Sequence, residues 1–368
     1  VPDLWPLPPV NRRHLDVLTG ELGIMQHAVG PRPDPAHGSC TDDVARALQV
    51  DLLHQRELGW SAVAASAGRN LRFLDEALDR DTGRFRNFRR SDGAWHPGLG
   101  SEDCHGRALL ALGETMAGSP GDGLAEVAER LFAEALPAAR SLVALRARSS
   151  ALLGCEAAMR VAPTRRTANT FDMLCDGIRS TFEAPGTERW WLWPEPQLTY
   201  ENALPTRALL VAGHHRGDRR SIAMGEAVLG WLVEVQTAPG GHLSPIGNGW
   251  WPLRGERSRF DQQPIEATAL LLAARTALAV TGDPQWQAVS ERAYAWFLGA
   301  NDVGVRVCDP ERGAGYDGLT PSGVNVNQGA ESTLMWLIAL EHTRSMREGL
   351  ATTPATIPTT PVLASRVG

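Results

Sequence analysis

The sequence predicts an all-α protein, and within that class an (α/α)6 barrel, a six-hairpin toroid in which six outer helices wrap six inner ones. Three observations predict it. Apolar residues recur at helical spacing along almost the whole chain, with hardly a run of alternating β-branched residues. The helical segments are of two alternating kinds, one amphipathic with a charged face, the other rich in Ala, Leu and small residues, as a helix buried on most sides should be. The connections alternate too, short from an inner helix to the next outer one and mostly long on the return.

In chain order, outer helices are expected over 11–27, 60–78, 122–143, 167–183, 218–236 and 284–300. Inner helices are expected over 42–54, 102–114, 147–160, 201–213, 264–280 and 329–343. Three return links are long and rich in Trp, Gly, Pro and Arg: 79–101, 184–200 and 237–263. Loops of that length inside a compact fold usually serve function. The alternation brings all three out on one face, at the N-termini of the inner helices. One barrel domain is expected over 1–346, followed over 347–368 by an extended tail of repeated Thr-Pro.

Composition narrows the chemistry. The 368 residues contain no lysine, so all 36 basic residues are arginine. Schiff-base catalysis, a pyridoxal-phosphate anchor and a Walker A loop all need an amine that is missing here. A net charge of −6 gives no basic field for nucleic acid. No apolar run approaches the ~20 residues of a bilayer-spanning helix, so no membrane partner is expected. Five widely spaced cysteines, an odd number, argue against a disulfide framework and for a reducing compartment. With no signal segment in VPDLWPLPPV, the expected location is cytoplasmic.

Five of the six inner helices open on polar clusters: HGSCTDDVARA (37–47), SEDCHGRAL (101–109), YENALPTRAL (200–209), FDQQPIEATA (260–269) and NVNQGAEST (325–333). Acids in a first turn complement the helix dipole. Dipole satisfaction does not require Trp, His, Tyr, Asn and Gln alongside them, whereas a sugar site does. Six of the twelve tryptophans, Trp95, Trp190, Trp191, Trp193, Trp250 and Trp251, fall in the long loops. Indole faces suit the C–H faces of sugar rings, and sugar hydroxyls need bidentate polar partners. Candidate substrate-binding residues are therefore His37, Trp95, His96, Glu102, His105, Arg107, Trp191, Trp193, Tyr200, Asn202, Trp250, Trp251, Asp261, Gln262, Gln263 and Gln328.

These residues carry a resemblance. HGSCTDDVARAL at 37–48, SEDCHGRALLALG at 101–113, YENALPTRALL at 200–210 and NQGAESTLMWLIALE at 327–341 resemble the six-hairpin glycosidase superfamily. More closely, they resemble the (α/α)6 domains that bacteria encode beside, or fused to, retaining-type glycosyltransferases. Ser39 and Val44 depart from that pattern. The resemblance implies carbohydrate-active chemistry on an oligosaccharide or glycoside, with a glycosyltransferase as functional neighbour.

Glycoside hydrolysis needs one carboxylic acid and one carboxylate, ~6.5–9.5 Å apart if the enzyme inverts. Superfamily members similar to this chain mostly invert. An inner-helix N-terminus favours an anion, which suits Asp42, Asp43 or Asp103 as base. Burial or a neighbouring like charge would suit Glu201 or Glu331 as acid. Ring closure makes the first and last inner helices neighbours, so the favoured pair is Asp43, or Asp42 beside it, with Glu331, followed by Asp103 and Glu201. Asp43, Asp103, Glu201, Asp261 and Glu331 are all expected to open into one cavity.

Four other readings stay open. His37, His96, His105 and His242 could supply the paired bases of a sugar epimerase or isomerase. Arg86, Arg89 and Arg90 could bind phosphate in a glycoside phosphorylase. Cys104-His105-Gly106 matches the signature of zinc-dependent lanthionine cyclases. A non-catalytic glycan-binding barrel would keep the tryptophans and need no acid pair. No metal or cofactor is expected, with Cys40 and Cys104 serving as packing.

Overall fold

A computed structural model describes residues 4–120, 123–184 and 188–349. The helices are α1 (Arg13–Leu18), α2 (Thr41–Leu58), α3 (Trp60–Ala77), α4 (Glu102–Gly118), α5 (Leu124–Ala135), α6 (Leu145–Met159), α7 (Arg165–Glu183), α8 (Leu204–Arg216), α9 (Arg219–Val235), α10 (Pro264–Thr281), α11 (Gln285–Phe297) and α12 (Ala330–Arg347). The even-numbered helices form a ring in which each packs on the next and α12 closes against α2. The odd-numbered helices lie outside, α3, α5, α7, α9 and α11 each against the inner helix before it and α1 against α12. The all-α (α/α)6 architecture is the one the sequence predicts. Residues 350–368 of the expected tail lie outside the described residues.

The two helix classes differ as their residues require. In α7 the buried residues Thr167, Thr170, Phe171, Leu174, Cys175 and Ile178 follow one stripe, and Thr164 caps the start by accepting from Thr167 N at 3.1 Å. In α10 nearly every residue of the first two turns is buried. Its 18 residues reach a mean hydropathy of 1.3, high enough for a membrane span, and a place in the ring accounts for that. Glycines set the closest approach. A Cβ on Gly113 would fall 2.2 Å from the Gly154 carbonyl oxygen, and one on Gly154 2.4 Å from that of Leu109, so α4 and α6 meet backbone to backbone.

The first outer helix is a correction. Only Arg13–Leu18 of the expected 11–27 is helical; Thr19–Gly20 (β1), Gly23–Val29 (β2) and Arg32–Cys40 (β3) form an antiparallel sheet completed by Phe88–Arg89. Gly30, at φ +57°, makes the two-residue turn between β2 and β3, and the next residue is Pro31. Such punctuation favours a hairpin over a continued helix.

Candidate active site

The N-termini of the inner helices surround a cavity of about 550 Å³. Ser101, Glu102, Asp103 and Arg107 form one wall, with Ala144 and Tyr200 beside them; Asn248, Trp250, Gln263 and Ile265 form another, and Glu331 a third. Ser101, Tyr200 and Trp250 belong to the three long loops, so all three open on this face. A second space of about 300 Å³ shares Asp103, Ala144 and Tyr200, and continues past Glu195 and Gln197.

Two arginines organise the acids. Each stands four residues after an aspartate in a helix's first turn, so one helical turn brings it under the mouth. Arg107 donates to Asp42 and to Glu201, both at 2.8 Å, and lies 4.0 Å from Asp103. Burial would raise the Asp42 carboxyl, but Arg107 and Arg46 outweigh it and hold it low. Nη1 of Arg46 donates to Asp43 at 3.0 Å and to Glu331 at 2.9 Å. Burial, opposed by Arg46 and aided by Glu331, pushes Asp43 up to about 6. Its other oxygen accepts from the Cys40 thiol at 3.1 Å.

Ring closure does bring Asp43 and Glu331 together, yet they do not frame a substrate. Both grip one guanidinium nitrogen, which leaves their nearest oxygens within about 6 Å of each other, under the ~6.5–9.5 Å of an inverting pair. Asp43 is 6% exposed at its side chain and misses the cavity, whereas Glu331 is 40% exposed and lines it. The expectation of five acids in one cavity is corrected accordingly. Asp103 and Glu331 line it, joined by Glu102. Asp43 is buried, Glu201 is tied to Arg107, and Asp261 is exposed outside the lining.

Asp103 accepts a short hydrogen bond from the Tyr200 hydroxyl at Oδ2. Arg146 fixes that tyrosine, its guanidinium 4.7 Å from the ring centroid and its Nε donating to the Tyr200 carbonyl. Arg146 also donates to Glu195 at 2.9 Å and to Asn202 at 3.1 Å. Asn202 in turn donates to Glu266 at 2.9 Å, and burial raises Glu266 to about 7. Glu102 has a local task, accepting from Val143 N and Ala144 N at 2.8 and 2.7 Å and so capping the approach to α6.

Other sequence candidates fall elsewhere. Trp191 and Trp193 are buried, their indole N–H groups on Glu195, and hold the 184–200 loop to the barrel. Trp95 packs on Phe73, and Trp251 on Trp191. Asn202, Gln262 and Gln328 are buried, Gln262 bridging Arg259, Asp302 and Trp296. His105 is fully buried against Phe85, and burial holds it near 3. His37 and His96 are exposed on the sheet and its loop, and His242 lies 3.4 Å from Asp302. Among the described residues no histidine lines either cavity, and no three His, Cys, Asp or Glu side chains could share a metal ion.

Arg46, Arg146, Asn248, Ile265 and Glu266 escaped the sequence reading. The shared Asp-x-x-x-Arg spacing of 42–46 and 103–107 signals the first of them. Backbone strain marks the site independently: the three non-glycine residues with positive φ among the described residues are Glu201 (49°), Trp250 (64°) and Asp261 (57°). Glu201 binds Arg107, Trp250 lines the cavity, and the Asp261 carbonyl accepts from Asn248 N at 3.1 Å. Strain of this kind collects at functional sites.

No protein-family model matches the chain, and no curated protein sequence matches it. Solved structures do. A sugar epimerase from a ruminal bacterium superposes with a TM-score of 0.68 at 12% identity, covering 89% of this chain and 94% of that one. Cellobiose 2-epimerase from Spirochaeta thermophila gives 0.63 at 16%, covering 89% and 91%. A GH76 α-mannanase from Bacteroides thetaiotaomicron gives 0.63 at 11%, covering 85% and 88%. At these identities the likeness is one of fold alone, the (α/α)6 barrel.

Proposed function

We propose that this protein is a carbohydrate-active enzyme and, within that class, an inverting glycoside hydrolase acting on an oligosaccharide. The observation that carries the finer reading is the cavity wall: it presents Asp103 and Glu331 and no histidine. The neighbours include both hydrolases and epimerases, so the fold alone does not choose. A paired-histidine proton transfer would need two imidazoles facing the sugar. α4 and α12 flank α2 in the ring. Their carboxylates therefore reach the same cavity from either side of α2, and inversion needs two carboxyl groups held apart with room for a water.

Glu331, ion-paired to Arg46 while facing the cavity, serves as the base that activates water. Asp103 serves as the acid: Oδ2 is occupied by Tyr200, and Oδ1 carries the proton to the leaving oxygen. This exchanges the role the sequence suggested for Glu331, since Asp43, the base the sequence favoured, is buried outside the cavity. Trp250, 38% exposed on the cavity wall, offers its indole face to a sugar ring.

The test is turnover of an oligosaccharide panel, with and without phosphate, read by chromatography. Asp103→Asn and Glu331→Gln should each lose ~10²–10⁴-fold in rate. Asp103→Asn should recover on aryl glycosides with good leaving groups, and Glu331→Gln should not. Full activity in both variants, or an isomerised and uncleaved product, would overturn the reading.

A further inference from the structure

Deeper in the ring lies a second set of charged side chains that the proposed hydrolysis does not use. Four inner helices that are consecutive in the ring each contribute one: Arg207 from α8, Arg275 from α10, His342 from α12 and Arg56 from α2. Arg275 lies against His342, its Nη1 on the ring Nδ1. Arg56 donates to Ser345 Oγ at 3.3 Å. Burial, and after it the charges of Arg275, Arg207 and Arg56, hold His342 well below its ordinary value.

The cluster consists almost wholly of donors. The Nε atoms of Arg207 and Arg275 are shielded from solvent and have no hydrogen-bond partner. Because His342 accepts at Nδ1, its Nε2 carries the proton and is a further donor. The acids that act on Arg207 make no ion pair with it and have closer partners: Glu114 accepts from Gln49 at 2.7 Å, Glu156 lies 3.7 Å from Arg160, and Glu201 accepts from Arg107 at 2.8 Å. Buried like charges without counter-ions are costly, and guanidinium forks match the oxygens of an oxyanion. Arg56 is exposed, which gives the cluster a route to solvent.

We propose that Arg207, Arg275, Arg56 and His342 form a binding site for a small tetrahedral oxyanion of the phosphate or sulfate class within the barrel lumen. Two negative charges offset most of the three arginines, and one bound ion ties α8, α10, α12 and α2 together. The site is separate from the carboxylate cavity and does not depend on the hydrolase reading.

Thermal unfolding of the full chain in inorganic phosphate or sulfate, against chloride at equal ionic strength, tests it. Tm should rise with the logarithm of anion concentration, by ~2–5 °C near saturation. Arg275→Met and Arg207→Met should each abolish that rise, whereas Arg166→Met, a change at an exposed arginine of outer helix α7, should keep it. If one variant does not fold, the other decides. A rise that survives in the folded variants, or that chloride reproduces, overturns the site.

Discussion

At the mouth of the ring Arg46 and Arg107 are shared among Asp42, Asp43, Glu201 and Glu331 at 2.8 to 3.0 Å, whereas deeper in the lumen the Nε atoms of Arg207 and Arg275 have no hydrogen-bond partner. The same residue type therefore does two jobs on one scaffold. At the mouth it neutralises acids that would otherwise repel one another, and the surplus of carboxylates leaves Asp103 and Glu331 facing the cavity. In the lumen it is a cation awaiting an anion. The two roles are separable, because removing the first exposes buried anions and removing the second relieves repulsion.

The sharpest way to break the comparison is to delete one arginine from each region. Arg107→Met should cost ~3–5 kcal/mol in urea unfolding, since Asp42 and Glu201 lose their counter-ion. Arg275→Met in chloride should leave stability unchanged or higher. The reverse order would mean that the regions do not differ as described. A similar contrast divides the tryptophans: Trp193→Ala should cost ~3–5 kcal/mol, and Trp250→Ala less than ~0.5 kcal/mol while raising KM for the sugar.

A smaller effect concerns pH. Burial raises Asp43 and Asp51 to about 6 and Glu266 and Glu341 to about 7. From pH 4 up to those values these four carboxyls hold more protons in the folded protein than in the unfolded chain, a contribution to stability that falls as pH rises. Burial holds His54, His105 and His342 low, so below the ordinary histidine value of 6.5 they bind fewer protons folded than unfolded and work in the opposite direction. The two sets oppose each other, and the wild-type Tm should move little from pH 5 to pH 8. Asp43→Asn and Glu266→Gln each remove a falling contribution, so their Tm should climb over that range relative to the wild type. Asp42, shifted the other way, acts only below pH 4. Variants whose Tm profiles run parallel to the wild type would refute the assignment.

The alternation of helix types, and with it the face that carries the site, is legible because burial on one side or on most sides leaves a compositional trace in every helix. Asp103, Glu331, Tyr200, Gln263 and Trp250 could be named because they stand at helix starts or in loops too long to be mere connectors. The hairpin over 23–40 was missed because the apolar spacing of 11–27 also fits a helix, although Gly23, Gly30 and Pro31 mark the break. Which acids are free could not be read either. That depends on which guanidinium reaches which carboxylate across helices, as Arg107 does from α4 to Asp42 on α2. Burial of Asn202, Gln262 and Gln328 follows from partners as distant in sequence as Glu266, Trp296 and His14.

Closure of the ring joins helices from opposite ends of the described chain. α2 meets α12; farther down, Arg344 donates to the Pro8 carbonyl at 2.5 Å, and Arg347 to the Trp5 carbonyl at 2.6 Å. Contacts of such sequence separation form slowly, and a chain leaving the ribosome cannot make them until α12 has emerged. Until then Arg46 holds Asp43 with no Glu331 opposite it, and the cavity lacks one wall. The chemistry is thus withheld from every partly made chain, and a truncation before α12 should yield helical hairpins without a catalytic centre.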